Sequence, residues 1–93
     1  MGSATQITKE RRQSVEATAT TVEGSQPFIV KRLIFVANDG TSDVILNFDG
    51  ATDDEGAITL KAGEVLSDVE LSCASLSYKA VSGSVPIRAW GAK

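Results

Sequence analysis

The residues best suited to chemistry lie in one acidic segment, DGATDDEG, at positions 49–56. It holds four carboxylates, Asp49, Asp53, Asp54 and Glu55, and Ca²⁺ binds through oxygen ligands of this kind. The spacing does not follow the EF-hand loop, in which oxygens alternate, a glycine lies near the centre and a glutamate closes the loop. The segment is therefore interpreted as a solvated hairpin loop, and its four acids are only weak metal candidates.

The other reactive side chains favour a protein that is not an enzyme and has no cofactor. The sequence contains no histidine and one cysteine, Cys73, so it cannot form an activated Cys–His pair or most zinc sites. Neither a G-x-S-x-G motif nor a glycine-rich phosphate loop occurs, and acids on one loop do not make the opposed pair of a glycosidase. We expect Cys73 to be a small residue of the core or of a sheet.

Two aromatic residues, Tyr78 and Trp90, have polar atoms and could stack against a sugar. Tyr78 keeps the register of the apolar residues around it, which predicts packing in the core or at its rim. Trp90 is out of register with the apolar residues of its segment, which predicts that it lies on the other face or at an interface. A small carbohydrate-binding module that uses Trp90, Tyr78 and the acidic segment therefore remains an alternative.

The elements that must position these residues show the two-residue period of β-strands. The clearest inward-pointing sets are Val44, Leu46 and Phe48, and Val85, Ile87 and Ala89. Residues 28–37 are predicted to form one central strand, because their second half is apolar on both faces. Pro86 cannot donate to a ladder, so the last strand is predicted to be an edge or to direct that nitrogen outward.

The whole pattern predicts an all-β domain without helices. Seven segments alternate in this way, with turn signals at roughly the 8–12-residue spacing of a sandwich or small barrel. The predicted fold is a compact antiparallel β-sandwich or jelly-roll-like barrel of about seven to eight short strands. At 93 residues the chain suffices for one domain. We assign residues 14–93 to that domain and residues 1–13 to a polar N-terminal arm.

The charge distribution indicates protein partners and disfavours nucleic acid. Residues 1–32 contain five basic and three acidic residues, whereas residues 33–93 contain four basic and nine acidic ones. An acidic body does not suit phosphate binding, and no apolar run is long enough for a membrane helix. The candidate partner-binding residues are Ile7, Lys9, Arg11 and Arg12 of the arm, together with Trp90.

Residues 28–93 resemble small structural proteins of tailed bacteriophages. The resemblance rests on an apolar strand followed by the turn motifs NDGT at 38–41, NFDG at 47–50 and LKAGE at 60–64, and by the closing segment YKAVSGSVPIRAWG at 78–91. Proteins of this kind look like compact β-sandwich modules of the head, neck or tail. The resemblance implies a structural role through assembly and transfers no individual functional residue.

The function expected from this resemblance is that of a non-enzymatic virion protein. Its first form is a capsid decoration or cement protein, assembled in the bacterial cytoplasm, that docks on neighbouring subunits through its arm and sandwich edges. Its partners would be the major capsid protein or neck and tail proteins, and copies of itself in a homo-oligomer, with a trimer as one candidate. A neck, collar or tail-fibre-attachment component is the alternative within the virion.

Overall fold

The structure, a computed structural model, describes residues 11–93. Within that range the chain forms eight antiparallel strands and no α-helix, which confirms the predicted all-β sandwich. No helix in the described part is long and apolar enough to cross a membrane. The strands are β1 (Arg12–Ala19), β2 (Gly24–Val30), β3 (Arg32–Asn38), β4 (Val44–Phe48), β5 (Ile58–Leu60), β6 (Val65–Val69), β7 (Cys73–Ala80) and β8 (Val85–Ala92).

The chain is folded as one long hairpin whose middle lies between β4 and β5. Along this hairpin β1 pairs with β8, β2 with β7, β3 with β6 and β4 with β5. Two further pairings, β3 with β8 and β4 with β7, gather the strands into two sheets. Sheet I has the order β1-β8-β3-β6 and sheet II the order β2-β7-β4-β5. This rolled hairpin is the topology of a jelly roll.

The core lies between the two sheets and is built by the alternation that the sequence predicts. Among the largest fully buried side chains are Phe28, Leu33, Leu46, Leu76 and Ile87. The predicted inward sets are confirmed, because five of the six residues are buried and Phe48 packs against the same cluster. Full burial of each such side chain contributes about 1.5–3 kcal/mol.

The prediction of a single strand over residues 28–37 is wrong. The chain turns at Lys31, so that β2 joins sheet II and β3 joins sheet I. The Lys31 N–H donates to the Ala92 carbonyl oxygen over 2.7 Å, which ties this corner to the end of β8. An apolar run cannot reveal such a corner, because the corner depends on a contact with a distant part of the chain.

The last strand is an interior strand of sheet I, since β8 lies between β1 and β3. Of the two predicted alternatives, an edge strand is therefore wrong. The other alternative, that the Pro86 nitrogen points away from the ladder, describes β8. The Pro86 carbonyl accepts from the Asp39 N–H over 2.9 Å, and the N and O of one strand residue point the same way. The Pro86 nitrogen thus faces the turn after β3, beyond the last β3–β8 pair, Asn38 with Ile87.

A bulge in β3 decides which residues reach the outer surface of sheet I. Leu33 and Val36 are both fully buried although they are three residues apart, which strict alternation forbids. The register with β8 shifts between Leu33 and Phe35, so one extra residue is accommodated there. Ile34 and Phe35 are consequently both left partly exposed.

Candidate interaction surface

The outer surface of sheet I carries a patch of aromatic and aliphatic side chains. Cα partners on neighbouring strands share a face, and one such row is Ser14, Trp90, Phe35 and Ser67. Trp90, Phe35 and Ile34 are half-buried, and Val65 in the next row is 56% exposed. We call Ile34, Phe35, Val65 and Trp90 the aromatic face.

Arg88 borders the aromatic face with a fixed positive charge. Its guanidinium carbon lies 5.7 Å from the centroid of the Phe35 ring, within cation–π range. The same guanidinium binds Asp39 twice, with Nε 2.5 Å from Oδ2 and Nη2 3.1 Å from Oδ1. This pair raises the pKa of Arg88 and holds the pKa of Asp39 below its ordinary value. The Arg88 side chain is therefore held in one orientation although it is half-exposed.

Five cationic residues from three separate segments meet at one end of sheet I. Arg12 and Arg32 are both register partners of Ala92, one on each side of β8. Lys31 lies at the corner between β2 and β3, and the Lys93 N–H donates to the Arg11 carbonyl over 2.7 Å. The set, called here the basic end, consists of exposed residues: Arg11, Arg12, Lys31, Arg32 and Lys93.

Two acidic residues, Asp68 and Glu70, offset part of this charge. Arg32 forms an ion pair with Asp68, which together with the nearby Glu70 raises the pKa of Arg32. Over residues 11–93 the only other ion pair is the one between Arg88 and Asp39. The basic end therefore presents an excess of positive charge on an acidic domain, next to the aromatic face.

The acidic segment, called here the acidic loop (residues 49–56), joins β4 to β5 and lies against the outer surface of sheet II. Asn47, a buried residue of β4, donates from Nδ2 to the Ala51 carbonyl over 2.7 Å and to the Glu55 carbonyl over 3.4 Å. Asp49 has a φ of 65° and accepts from the N–H groups of Ala74 and Ser75, at 2.7 Å and 3.0 Å. The loop thus covers the polar face of its own sheet.

A second anchor of the acidic loop comes from the turn between β1 and β2. The Glu23 carboxylate accepts from the Thr52 N–H over 2.7 Å and also from the Thr52 hydroxyl. These two hydrogen bonds, aided by Lys79, lower the pKa of Glu23. Thr52 is 7% exposed, so the centre of the acidic loop is fixed to the body of the domain.

Two of the four weak metal candidates bind backbone groups in the structure, and the other two face solvent. Asp49 binds backbone N–H groups of β7, and Asp54 accepts from the Ala51 N–H over 3.2 Å. Asp53 and Glu55 are exposed. Nowhere between residues 11 and 93 do three or more acidic or cysteine side chains come together in an arrangement that could hold a metal ion.

The residues of the carbohydrate-binding alternative do not converge on one site. Tyr78 is 7% exposed and belongs to the core cluster, as predicted. Trp90 lies on the outer surface of sheet I, and the acidic loop lies against sheet II on the opposite side of the sandwich. No shared platform for a sugar results from these three.

Cys73 behaves as the small buried residue that we expect. It is 7% exposed, its Sγ donates to the Phe28 carbonyl over 3.2 Å, and burial raises its pKa. A thiol with a raised pKa is a poor nucleophile at neutral pH.

Some residues of the aromatic face and the basic end were predicted from the sequence, and others were not. Trp90 lies outward, as its register predicts, and Arg11 and Arg12 belong to the basic end. Ile7 and Lys9 lie outside the described residues, and β1 begins at Arg12, inside the predicted arm. Sequence reasoning missed Phe35, Lys31, Arg32, Lys93 and Glu23, whose importance depends on pairings between distant segments.

Comparison with known proteins gives a structural similarity and no match in sequence. No protein-family model and no curated protein sequence matches the chain. Among solved structures it is similar to the Drosophila NLP core, whose crystal structure is described as providing insight into pentamer formation and histone binding. That match has 18% identity and a TM-score of 0.46, and it covers 85% of this chain and 95% of the other. A match with this score does not bear on function.

Proposed function

We propose that the chain is a non-enzymatic structural protein of a bacteriophage virion, a capsid decoration protein that docks on neighbouring subunits. The observation that carries the proposal is the aromatic face: Trp90, Phe35 and Ile34 remain partly exposed on a rigid sheet beside an ordered arginine. Aromatic residues and arginine are enriched at protein interfaces and dominate their binding energy.

The contrast with sheet II supports an interface on sheet I. A small jelly roll has two outer surfaces, and this chain covers part of one of them, on sheet II, with its own acidic loop. The other surface keeps apolar groups in contact with solvent, an arrangement typical of binding sites. Docking would stabilise a small domain with a modest core, because any partner that binds only the folded state shifts the folding equilibrium.

The proposed partners are proteins of the same particle. They include the major capsid protein and further copies of this chain in a homo-oligomer, with a trimer as one candidate. The arm, residues 1–13, would contribute Ile7, Lys9, Arg11 and Arg12 to these contacts. The protein would be assembled in the cytoplasm of the bacterial host and would reside in the virion, with no contact to nucleic acid or membrane.

The test is to purify particles from the host that carries this gene and to count the copies of the chain in each particle by quantitative mass spectrometry. A decoration protein is expected at hundreds of copies and a neck, collar or tail-fibre component at about six to a few dozen, as closed symmetry requires. Cryo-electron microscopy of the same particles would locate the protein. Its absence from purified particles would contradict the proposal.

The contribution of the arm is tested by deleting residues 2–10. This deletion leaves β1 intact, whereas removal of residues 2–13 would also take away Arg12 and Gln13, which pair with Ala92 and Gly91. A fall in copies per particle without a change in thermal stability is the expected result. Unchanged occupancy would show that the part of the arm before Arg11 has no role in docking.

The carbohydrate-binding alternative is separated from the virion role by a glycan array with and without a chelator. Binding that disappears on Trp90→Ser would favour that alternative. Silence under both conditions would remove it.

A further inference from the structure

We infer that the aromatic face and the adjoining basic end bind a second copy of this chain, through the acidic loop and β5 of that copy, in a contact that repeats around a closed ring. The inference deepens the proposed function and rests on its claim that sheet I is an interface. It names the occupant of that interface.

Charge complementarity points to a second copy as the occupant. The basic end holds five cationic residues from three segments, with Asp68 as its ion-pair partner among the described residues. The acidic loop of the same chain holds Asp53 and Glu55, which are exposed and make no side-chain hydrogen bond to another described residue. Each copy therefore carries both halves of a complementary pair.

Apolar groups lie beside both charged patches. The aromatic face adjoins the basic end within sheet I, because Trp90 and Ala92 are alternate residues on the outer side of β8. Ile58, the first residue of β5, follows the acidic loop and is 39% exposed at the edge of sheet II. An apolar contact flanked by opposite charges is the usual composition of a specific interface, with an apolar centre and a polar rim.

The positions of the two patches favour a ring. The loop from β4 to β5 leaves sheet II near the end that carries the corner at Lys31, because Phe48 pairs with Leu76 and Val30 pairs with Cys73. It then folds back along the sheet, so that Thr52 reaches Glu23 in the turn between β1 and β2. The patches nevertheless lie on opposite sheets. A rotation about an axis along the strands would bring sheet II of one copy against sheet I of the next, and this contact between two different surfaces closes into a ring when the rotation is a whole fraction of a turn.

Within one chain, the charge of the basic end is offset only in part, through the ion pair of Arg32 with Asp68 among the described residues. The body of the sandwich separates the basic end on sheet I from the acidic loop on sheet II. Arg12 and Arg32, on either side of Ala92, lie about 10 Å apart by the spacing of two strands. The cationic side chains of the basic end that Asp68 does not offset repel one another in the isolated chain. The acids of a neighbouring copy would offset that repulsion.

The test is a charge-swap experiment on the full chain, with molar mass measured by light scattering over about a hundredfold range of concentration. Arg12→Glu is expected to weaken association about five- to tenfold at each contact, and Glu55→Lys to do the same. The double variant, Arg12→Glu with Glu55→Lys, is expected to recover most of the association. Lys61→Glu, a matched reversal in the turn between β5 and β6, should leave it unchanged.

Trp90→Ser is the second line of the test, because it removes apolar area without changing charge. The inference predicts that it dissociates the oligomer at low and at high salt, whereas the charge variants act mainly at low salt. A chain that is monomeric at every concentration would overturn the inference. An oligomer that is insensitive to Arg12→Glu, Glu55→Lys and Trp90→Ser would overturn it as well.

These outcomes are distinguishable from the failure of the proposed function. A ring with the expected charge dependence that is absent from particles would uphold the inference and contradict the virion role. Conversely, a chain counted on particles that is monomeric and charge-insensitive in solution would uphold the virion role and overturn the inference.

Discussion

The two outer faces of the sandwich differ in how completely the chain itself covers them. On sheet II, the buried amide of Asn47 and the carboxylates of Asp49 and Glu23 hold the acidic loop against the sheet. On sheet I, the bulge at Ile34 directs two apolar side chains outward beside Trp90, and the described residues leave them partly exposed. Under our proposal, sheet II maintains the fold and sheet I makes the contacts with partners. Substitutions on sheet II should therefore change the free energy of unfolding, and substitutions on sheet I should change association.

The largest effect is expected from Trp90→Ser, which should weaken association. A central interface tryptophan contributes about 2 kcal/mol or more to binding, which is about thirtyfold in affinity. The Trp90 side chain is also partly buried, so the free energy of unfolding of the monomer should fall as well, by about 1–2 kcal/mol. Light scattering measures the first quantity and urea denaturation the second. A large loss of stability with unchanged association would reverse the assignment of the two faces.

The next largest effect is expected from Asn47→Ala, which should lower the free energy of unfolding. The change removes a buried amide that donates to Ala51 and Glu55, and we expect the free energy of unfolding to fall by about 2 kcal/mol. Ser14→Ala on sheet I is the matched control, because Ser14 is an exposed register partner of Trp90, and it should stay within about 0.5 kcal/mol of the parent. Equal effects in urea denaturation would contradict the comparison.

A smaller effect is expected from Gly50→Ala. A Cβ at this position would lie 2.6 Å from Nδ2 of Asn47, and that nitrogen is fixed by its hydrogen bonds to the acidic loop. We expect a loss of about 1–2 kcal/mol and faster hydrogen exchange at the Thr52 amide. If exchange at Thr52 were unchanged, the acidic loop would not depend on this close contact.

The smallest effect is a pH dependence that involves Glu23. The pKa of Glu23 is lower in the folded chain than its ordinary value, because the carboxylate accepts two hydrogen bonds from Thr52. Its contribution to stability is therefore present above the ordinary pKa of glutamate and is lost as the pH falls through the folded value. The melting temperature of Glu23→Gln should lie below that of the parent at neutral pH and approach it in acid. A difference that is constant with pH would contradict this role.

Local features of the fold could be predicted from the sequence. The residues of the interaction surface could not, because they are brought together by the pairing of distant strands. Alternation in β4 and β8 predicted which residues point inward, and the register of Trp90 predicted that it points outward, because a two-residue period is a property of one strand. The corner at Lys31 was missed because it is set by a hydrogen bond to Ala92, more than half the chain away.

The basic end illustrates the same limit at the level of the site. Its residues come from the start of β1, the corner at Lys31 and the end of β8, and only the pairing of those strands brings them together. Similarly, the acids at 49–55 suggest a metal loop by composition, yet the structure uses Asp49 and Asp54 to bind backbone N–H groups. Which carboxylate accepts which N–H is decided by the folded chain and not by spacing.

The most direct test of the central claim uses Trp90 itself, since it is the only tryptophan in the chain. Its fluorescence and its quenching by iodide should be measured in the dilute protein and in the assembled state, whether that state is the concentrated oligomer or the purified particle. If sheet I is the interface, assembly will shift the emission to shorter wavelength and reduce quenching severalfold. Emission and quenching that stay the same on assembly would contradict the account, because they would show that the aromatic face remains exposed to water.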